Sequence, residues 1–522
     1  MTRAFHRTAF ATTALAALIV SPGLARADVT PEDVWAQFES YLSSFGYETT
    51  MQPVKEGATL RVPDVTLSVP MPADPATGAE GGSMTVSMGE MSLTDRGDGT
   101  VAVEMPASMP LRIASEGMEK GNFTVRGRLL SEGYDMIASG NPGDITYDFT
   151  MGKMTMQVDE IDGTDGITRT PDALMMVMEG GAGSSHIKTG DGPTAVDQTF
   201  TLAKLTYKID AENIEADKPG HFKMEGVAEG LTSEAAGTFP AAFDPAALSA
   251  ALADGYAFSA DMAYTTGRSN LDFSDPEQSF KMSTTSQGGS FKVGMGDTGL
   301  VYDVMAKGLT FSIEGSEIPF PIASTMGAFG MGIDMPVMKK DEDQPFSASI
   351  TLTDVAVPEP LWMMIDAGGQ LPHDPLTVEL KTSGQARLFT NIFDEKAMAE
   401  LAKTDEAPGE VSRVNIDQLL VKAGGATIAA TGGFDIDNTM TNPMDPDMPA
   451  MAGSIDLQLT GVTGLLGKLS QMGLIPMPQT MMATGMIQQL GKPGNGPDDY
   501  TAVIEVAKEG ALTINGAPFP PQ

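Results

Sequence analysis

Ile145-Thr146-Tyr147-Asp148-Phe149-Thr150-Met151 alternates apolar and polar side chains without a slip. A strand turns successive side chains to opposite faces, so this stretch reads as a strand with one greasy and one wet face. The turn Ser139-Gly140-Asn141-Pro142-Gly143-Asp144 precedes it, and Tyr134-Asp135-Met136 stands before that turn. The period of two recurs in both directions. Upstream it marks residues 65–69, 84–88, 101–105 and 122–125; downstream it marks 154–158, 200–209, 256–264, 291–293 and 309–313. Further runs cover 347–352, 376–380, 427–430 and 455–459, and a closing hairpin joins 502–506 to 512–514. One polar and one apolar face along so many runs is the pattern of antiparallel sheet covered on one side. The expected fold is mainly β, a β-rich α+β architecture of extended, twisted antiparallel sheets with a few packed helices.

Other segments carry the helical period. Thr30-Pro31-Glu32-Asp33 supplies a cap, a first-position proline and an acidic third position. Val34, Trp35, Phe38, Tyr41, Leu42 and Phe45 then recur at three- and four-residue spacing, which predicts a helix ending near Gly46. Helices are also expected at 244–252, 358–367, 394–403, 462–474 and 478–490. The apolar phase slips at Gly89-Glu90, where a bulge is expected. Asp95-Arg96-Gly97-Asp98-Gly99 reads as a hairpin connector. Stretches 72–82, 180–193, 339–345 and 438–449 are rich in Pro, Gly or charge and read as linkers. Helix followed by long strand occurs twice, which suggests two related lobes, 28–240 and 241–522.

The first 27 residues read as a secretory signal peptide. Arg3 and Arg7 precede the apolar block Ala14-Leu15-Ala16-Ala17-Leu18-Ile19-Val20, and Ala25-Arg26-Ala27 offers a small-residue cleavage site. The block is too short to span a bilayer, so the expectation is a periplasmic protein with no integral membrane segment in its mature chain. A net charge of −37 disfavours nucleic acid and anionic lipid surfaces as partners. The chain has no cysteine, which removes disulfides, thiol nucleophiles, thiolate metal sites and a cysteine-linked lipid anchor. His186, His221 and His373 lie far apart in sequence and in no metal-binding spacing. Methionine numbers 37 while aromatics make up only 6%. Met fills irregular apolar space, so these residues are either core filler or the lining of a pliable groove.

Toward the C-terminus, Val414-Asn415-Ile416-Asp417-Gln418-Leu419 leads to Ala429-Ala430-Thr431-Gly432-Gly433-Phe434-Asp435-Ile436 and then to residues 453–461 and a helical pair. The closing phrase is Gly510-Ala511-Leu512-Thr513-Ile514-Asn515-Gly516-Ala517-Pro518. With the exported N-terminal helix, this pattern resembles the bacterial envelope family called domain of unknown function 2125, and more distantly the AsmA-like β-rich envelope proteins. The first resemblance implies an exported β-rich protein and supplies no catalytic residue. The second implies lipid handling, although this chain lacks the membrane anchor typical of that group.

Three constellations invite chemistry. Ser185-His186-Ile187-Lys188 has the S-x-x-K spacing of penicillin-binding enzymes, but its companion motifs are missing and it follows a glycine-rich stretch. Asp159, Asp162 and Asp165, and separately Asp435 and Asp437, read as acidic turns of a kind calcium favours, without an EF-hand spacing. Paired carboxylates for glycoside hydrolysis have no sequence signature. The reading therefore assigns no catalytic, cofactor-binding or metal-ligating residue and no cofactor. It expects a non-enzymatic periplasmic protein that binds a lipid-like or other apolar ligand in a Met-lined groove. The alternatives are a structural protein that meets an envelope partner, and an exported hydrolase using acidic residues.

Overall fold

The computed structural model describes residues 28–519, apart from 45–46, 50, 72–80, 118–121, 164–167, 170–172, 191, 213–219, 241–246, 405 and 443–444. The expected signal peptide, most of the expected linker 72–82, and Asp165 lie outside the described residues. Among the described residues strand accounts for 62% and helix for 14%, so the fold is mainly β, as the alternation predicts.

The architecture is an antiparallel meander in which each strand pairs with the strands before and after it. Asp144–Asp162 pairs with Ala173–Lys188, that strand with Thr194–Glu212, and that one with His221–Phe239. The next two crossings are each interrupted. Ala257–Tyr264 and Thr266–Ser274 both pair with His221–Phe239, so two ladders cross the expected boundary at 240/241. Ser279–Ser286 and Gly289–Gly296 follow, and both pair with Gly299–Gly315. The meander continues through Ile322–Met335, Gln344–Val355, Leu376–Leu388, Gly409–Ala423, Ala426–Asn442, Asp445–Thr460 and Asp499–Val506. Before Asp144 the crossings are divided in the same way. Thr124–Glu132 and Asp135–Asn141 pair with the two halves of Asp144–Asp162.

The interruptions fall on one line. Asp64, Gly133, Gly180, Gly230, Gly288, Gly308 and Asp354 all have φ between 51° and 113°. They sit beside one another across the sheet: Gly133 lies against Gly152, Gly180 against Ala203, Gly230 against Thr265, and Gly288 against Thr265 from the other side. A left-handed residue within an extended strand breaks the alternation locally and turns the chain. The apolar set accordingly changes parity at this line. Phe149 and Met151 give way to Met154 and Met156, and Tyr302 and Val304 give way to Leu309 and Phe311. Tyr264 bridges the line on the apolar side, its hydroxyl accepting a hydrogen bond from Ser286 Oγ at 3.1 Å.

Three sequence expectations are corrected by this geometry. The phase slip at Gly89-Glu90 is no bulge: Gly82–Met88 pairs with Ser108–Glu116, whereas Met91–Asp95 pairs with Thr59–Val62 and Val101–Glu104. The chain crosses the line there and enters the other half of the sheet. Residues 180–188 are ladder and not linker, because the glycines of Ala173–Lys188 make room for Met151 and Phe149 on the adjacent strand. Residues 438–442 and 445–449 likewise belong to two long strands that pair with each other.

Among the described residues six helices decorate the sheet: α1 (Pro31–Ser44), α2 (Leu248–Ala253), α3 (Glu359–Ile365), α4 (Glu395–Thr404), α5 (Val462–Gln471) and α6 (Met477–Leu490). The Thr30 cap forms as its sequence predicts. Asp33 N donates to Thr30 Oγ1 at 3.2 Å, and Thr30 N donates back to Asp33 Oδ2 at 3.0 Å. α1 lays Val34 and Trp35 on Leu60, Val62, Leu93, Val101, Val103, Ala138 and Ile145, and this is the dense core of the protein. Both margins of the meander are short. The last strand, Ala517–Phe519, carries Pro518, and the strand Val54–Glu56 at the other margin is exposed and bears Lys55 and Glu56. Proline and charge are common ways of blunting a sheet edge.

Candidate functional site

Residues directly paired across antiparallel strands point to the same face. From Asp135–Asn141 onward, one such row reads Met136, Phe149, Gly183, Phe200, Ser233, Met262 and Phe291. The row continues through Val304, Met331, Ile350, Leu380, Leu419, Ala430, Leu457 and Ala502. At about 4.8 Å per strand, it crosses about 67 Å of sheet. Parallel rows flank it on the same face. One runs Tyr302, Ile333, Ala348, Thr382, Ile416 and Gly432, and another runs Ala306, Phe329, Leu352, Val378, Val421 and Ile428. Where a glycine interrupts the row, neighbouring rings close over it. Phe149 and Phe200 stack with centroids 6.0 Å apart across Gly183.

The opposite face has the complementary character. The row Asp148, Ser184, Thr199, Glu234, Asp261, Lys292 and Asp303 lies one residue out of phase with the apolar one. Lys292 pairs there with Asp261 at 3.5 Å. The hollows on this side are open, such as one of about 440 Å³ among His186, Asp197, Glu234 and Asp261.

Most of the apolar face is left uncovered. α1 covers its first crossings: Gln37 Nε2 donates to the Ile187 carbonyl at 2.8 Å, and the Tyr147 hydroxyl donates to Gln37 Oε1 at 2.8 Å. Tyr41 of α1 packs against the cluster of Ile187, Val196 and Phe239, which Tyr256 also joins, and α2 buries its own Ala251 and Leu252. In the middle of the molecule the strands alternate only between exposed and half-buried, as in Ser279–Ser286. Met262, Phe329, Met331, Ile333 and Ile350 retain 39–47% of their accessible surface. Soluble monomers rarely leave a contiguous apolar patch of this extent, and such patches mark binding surfaces.

Methionine is distributed accordingly. Among the described residues Met109 and Met151 are buried, whereas ten methionines, including Met262, Met331 and Met481, are exposed. Surface lining therefore outweighs core filling for these side chains.

The sequence-marked polar residues occupy other places. Ser185 and Lys188 differ by an odd number of positions within one strand, so they point to opposite faces and cannot form a nucleophile–base pair. His186 Nε2 instead lies 2.7 Å from Asp144 Oδ1 on the polar side, and that neighbour holds the Asp144 carboxyl below the usual range. Asp159, Asp162, Asp435 and Asp437 lie in strands and not in turns. Three face a cation across the ladder: Asp159 meets Arg128 at 2.8 Å, Asp162 meets Arg126 at 2.6 Å and Asp435 meets Arg413 at 2.6 Å; Asp437 meets Lys508, in the turn after Asp499–Val506, at 3.8 Å. Their ordinary role is cross-strand pairing on the wet face. Among the described residues no group of three His, Cys, Asp or Glu side chains is placed to hold a metal ion, and no helix is long and apolar enough to cross a membrane.

The fold and this face define an open antiparallel meander with a continuous apolar track on one side. Compared with known proteins, the chain matches no family model, no curated protein and no solved structure.

Proposed function

We propose that this protein is an exported, non-enzymatic binder of a lipid-like ligand, whose hydrocarbon lies along the uncovered apolar rows. The observation that carries this reading is the row through Met262, Phe291, Val304, Met331 and Ile350, which remains apolar strand after strand and leaves Met262, Met331 and Ile350 exposed among the described residues. Exposed apolar surface costs about 25 cal/mol per Å² in water, so an occupant of matching chemistry is stabilised there without any specific polar contact. Met suits such a surface because its unbranched, polarizable side chain adapts to chains of differing shape. The signal-peptide pattern of residues 1–27 and the resemblance to exported envelope families support a periplasmic setting for this activity.

Protein purified from the periplasm and extracted with organic solvent should release a fatty acid or phospholipid detectable by mass spectrometry. The double variant Met331→Glu/Ile350→Glu should retain at least tenfold less of it. Its unfolding midpoint should fall only modestly, since both side chains are exposed and the cost is the repulsion of two glutamates paired across the ladder. Wild-type protein that emerges lipid-free and fails to bind a fluorescent fatty acid would overturn the reading.

A further inference from the structure

α6 exposes four methionines, interspersed with Gln479, Gln488 and Gln489. Its sequence, Met477-Pro478-Gln479-Thr480-Met481-Met482-Ala483-Thr484-Gly485-Met486-Ile487-Gln488-Gln489-Leu490, contains no charged residue. The inward side buries Thr480, whose hydroxyl finds no partner, while Met477, Met481, Met482 and Met486 point outward with 56, 68, 65 and 44% of their surface accessible. Leu474, in the turn between α5 and α6, and Met363 and Met364 of α3 are also exposed, at 53, 64 and 71%. α3 and α5 approach each other, because the field of Lys468 on α5 reaches Asp366 at the end of α3.

The charge of this segment departs from that of the chain. Between Val462 and Pro497 the only charged residues are Lys468 and Lys492, in a protein whose net charge is −37. Asp498 caps the start of α5, but neither α5 nor α6 carries a carboxylate of its own, and exposed methionines beside lysines suit the boundary between lipid phosphates and acyl chains. Another acidic-faced protein would be met equally well by the lysines but would leave four exposed methionine side chains without a matching apolar depth.

We propose that the helical end formed by α5 and α6 docks on the surface of a lipid bilayer, with the four methionines of α6 immersed among the acyl chains and Lys468 and Lys492 at the level of the phosphates. The strand Ala426–Asn442, which carries Ile428 and Ala430 of the apolar rows, packs directly against α5, since Gly424 at its hairpin lies beside Leu465. Docking at this end therefore sets the C-terminal reach of the apolar face next to the membrane. The docking itself does not depend on the ligand reading, because it uses side chains outside the rows.

The test is flotation of the purified full-length protein with phosphatidylcholine vesicles. Wild type should float with the vesicles. Met481→Glu/Met482→Glu should lower the bound fraction about tenfold or more, because each methionine withdrawn from hydrocarbon forfeits a large transfer free energy. Met481→Leu/Met482→Leu should float like wild type, and the row variant Met331→Glu/Ile350→Glu should float normally while losing its ligand. The two α6 variants should share the wild-type melting temperature, since the altered positions are exposed. Failure of wild type to float, or undiminished flotation of Met481→Glu/Met482→Glu, would overturn the proposal. A concentration-dependent dimer abolished by the same glutamates, without vesicle binding, would overturn it in favour of a second copy of the chain.

Discussion

Gly230 has φ of 60° in the middle of a strand of 19 residues, and that torsion decides which way the apolar side chains on either side of it point. A Cβ built there would lie 2.5 Å from Thr265 Oγ1. Replacing glycine by alanine at an unstrained position usually stabilises a protein through the unfolded chain. Here the sign reverses, because a left-handed conformation at a non-glycine residue costs about 1–3 kcal/mol. Gly230→Ala is accordingly expected to lower the urea unfolding free energy by about 1–3 kcal/mol, and a stability equal to or above wild type would remove the steric argument for the line. Asp64 and Asp354 hold the same conformation without being glycine, φ being 51° at both. Aspartate is among the few residues that tolerate it.

At the scale of elements, α1 is fixed by one buried polar chain. Gln37 is 3% exposed and is held by the Ile187 carbonyl and the Tyr147 hydroxyl. Burial pushes the Tyr147 phenol up from its ordinary value near 10. The folded protein thus favours the protonated phenol more strongly than the unfolded chain does. The associated stability is complete below pH 10 and is lost as pH rises from there toward the folded value. Tyr134 is likewise pushed up by burial, to about 12, so the loss is shared. A thermal melt of the wild type should fall between pH 10 and 12, and Tyr147→Phe should shallow that fall while lowering the melting temperature at neutral pH by leaving Gln37 Oε1 unsatisfied. The helices were legible in sequence because a 3.6-residue period and a cap such as Thr30–Asp33 are local signals. Ile322–Met335 was not read as a strand because its apolar parity changes at Gly327, from Met326 to Phe329. Gly180-Gly181-Ala182-Gly183 looked like a linker because flexibility and close packing demand the same residue. The apolar row could not be read at all, since it exists only once the register of each pair is known.

For the whole molecule the informative quantity is surface. A compact chain of 54.7 kDa would expose about 18,000 Å². This one exposes 30406 Å², as a single sheet that leaves both faces largely open must. A compact chain of this length would have a radius of gyration near 24 Å. Small-angle scattering should return a value well above that, and a value at the compact limit would mean that the sheet folds onto itself and covers its own track. A meander with bonds only between neighbouring crossings has one further property. Removing or inserting a whole hairpin in mid-sheet leaves every other register intact and changes the span by about 10 Å. Length in such a scaffold is therefore adjustable in discrete steps, like links in a chain, and the distance over which it operates can be retuned without redesigning any contact.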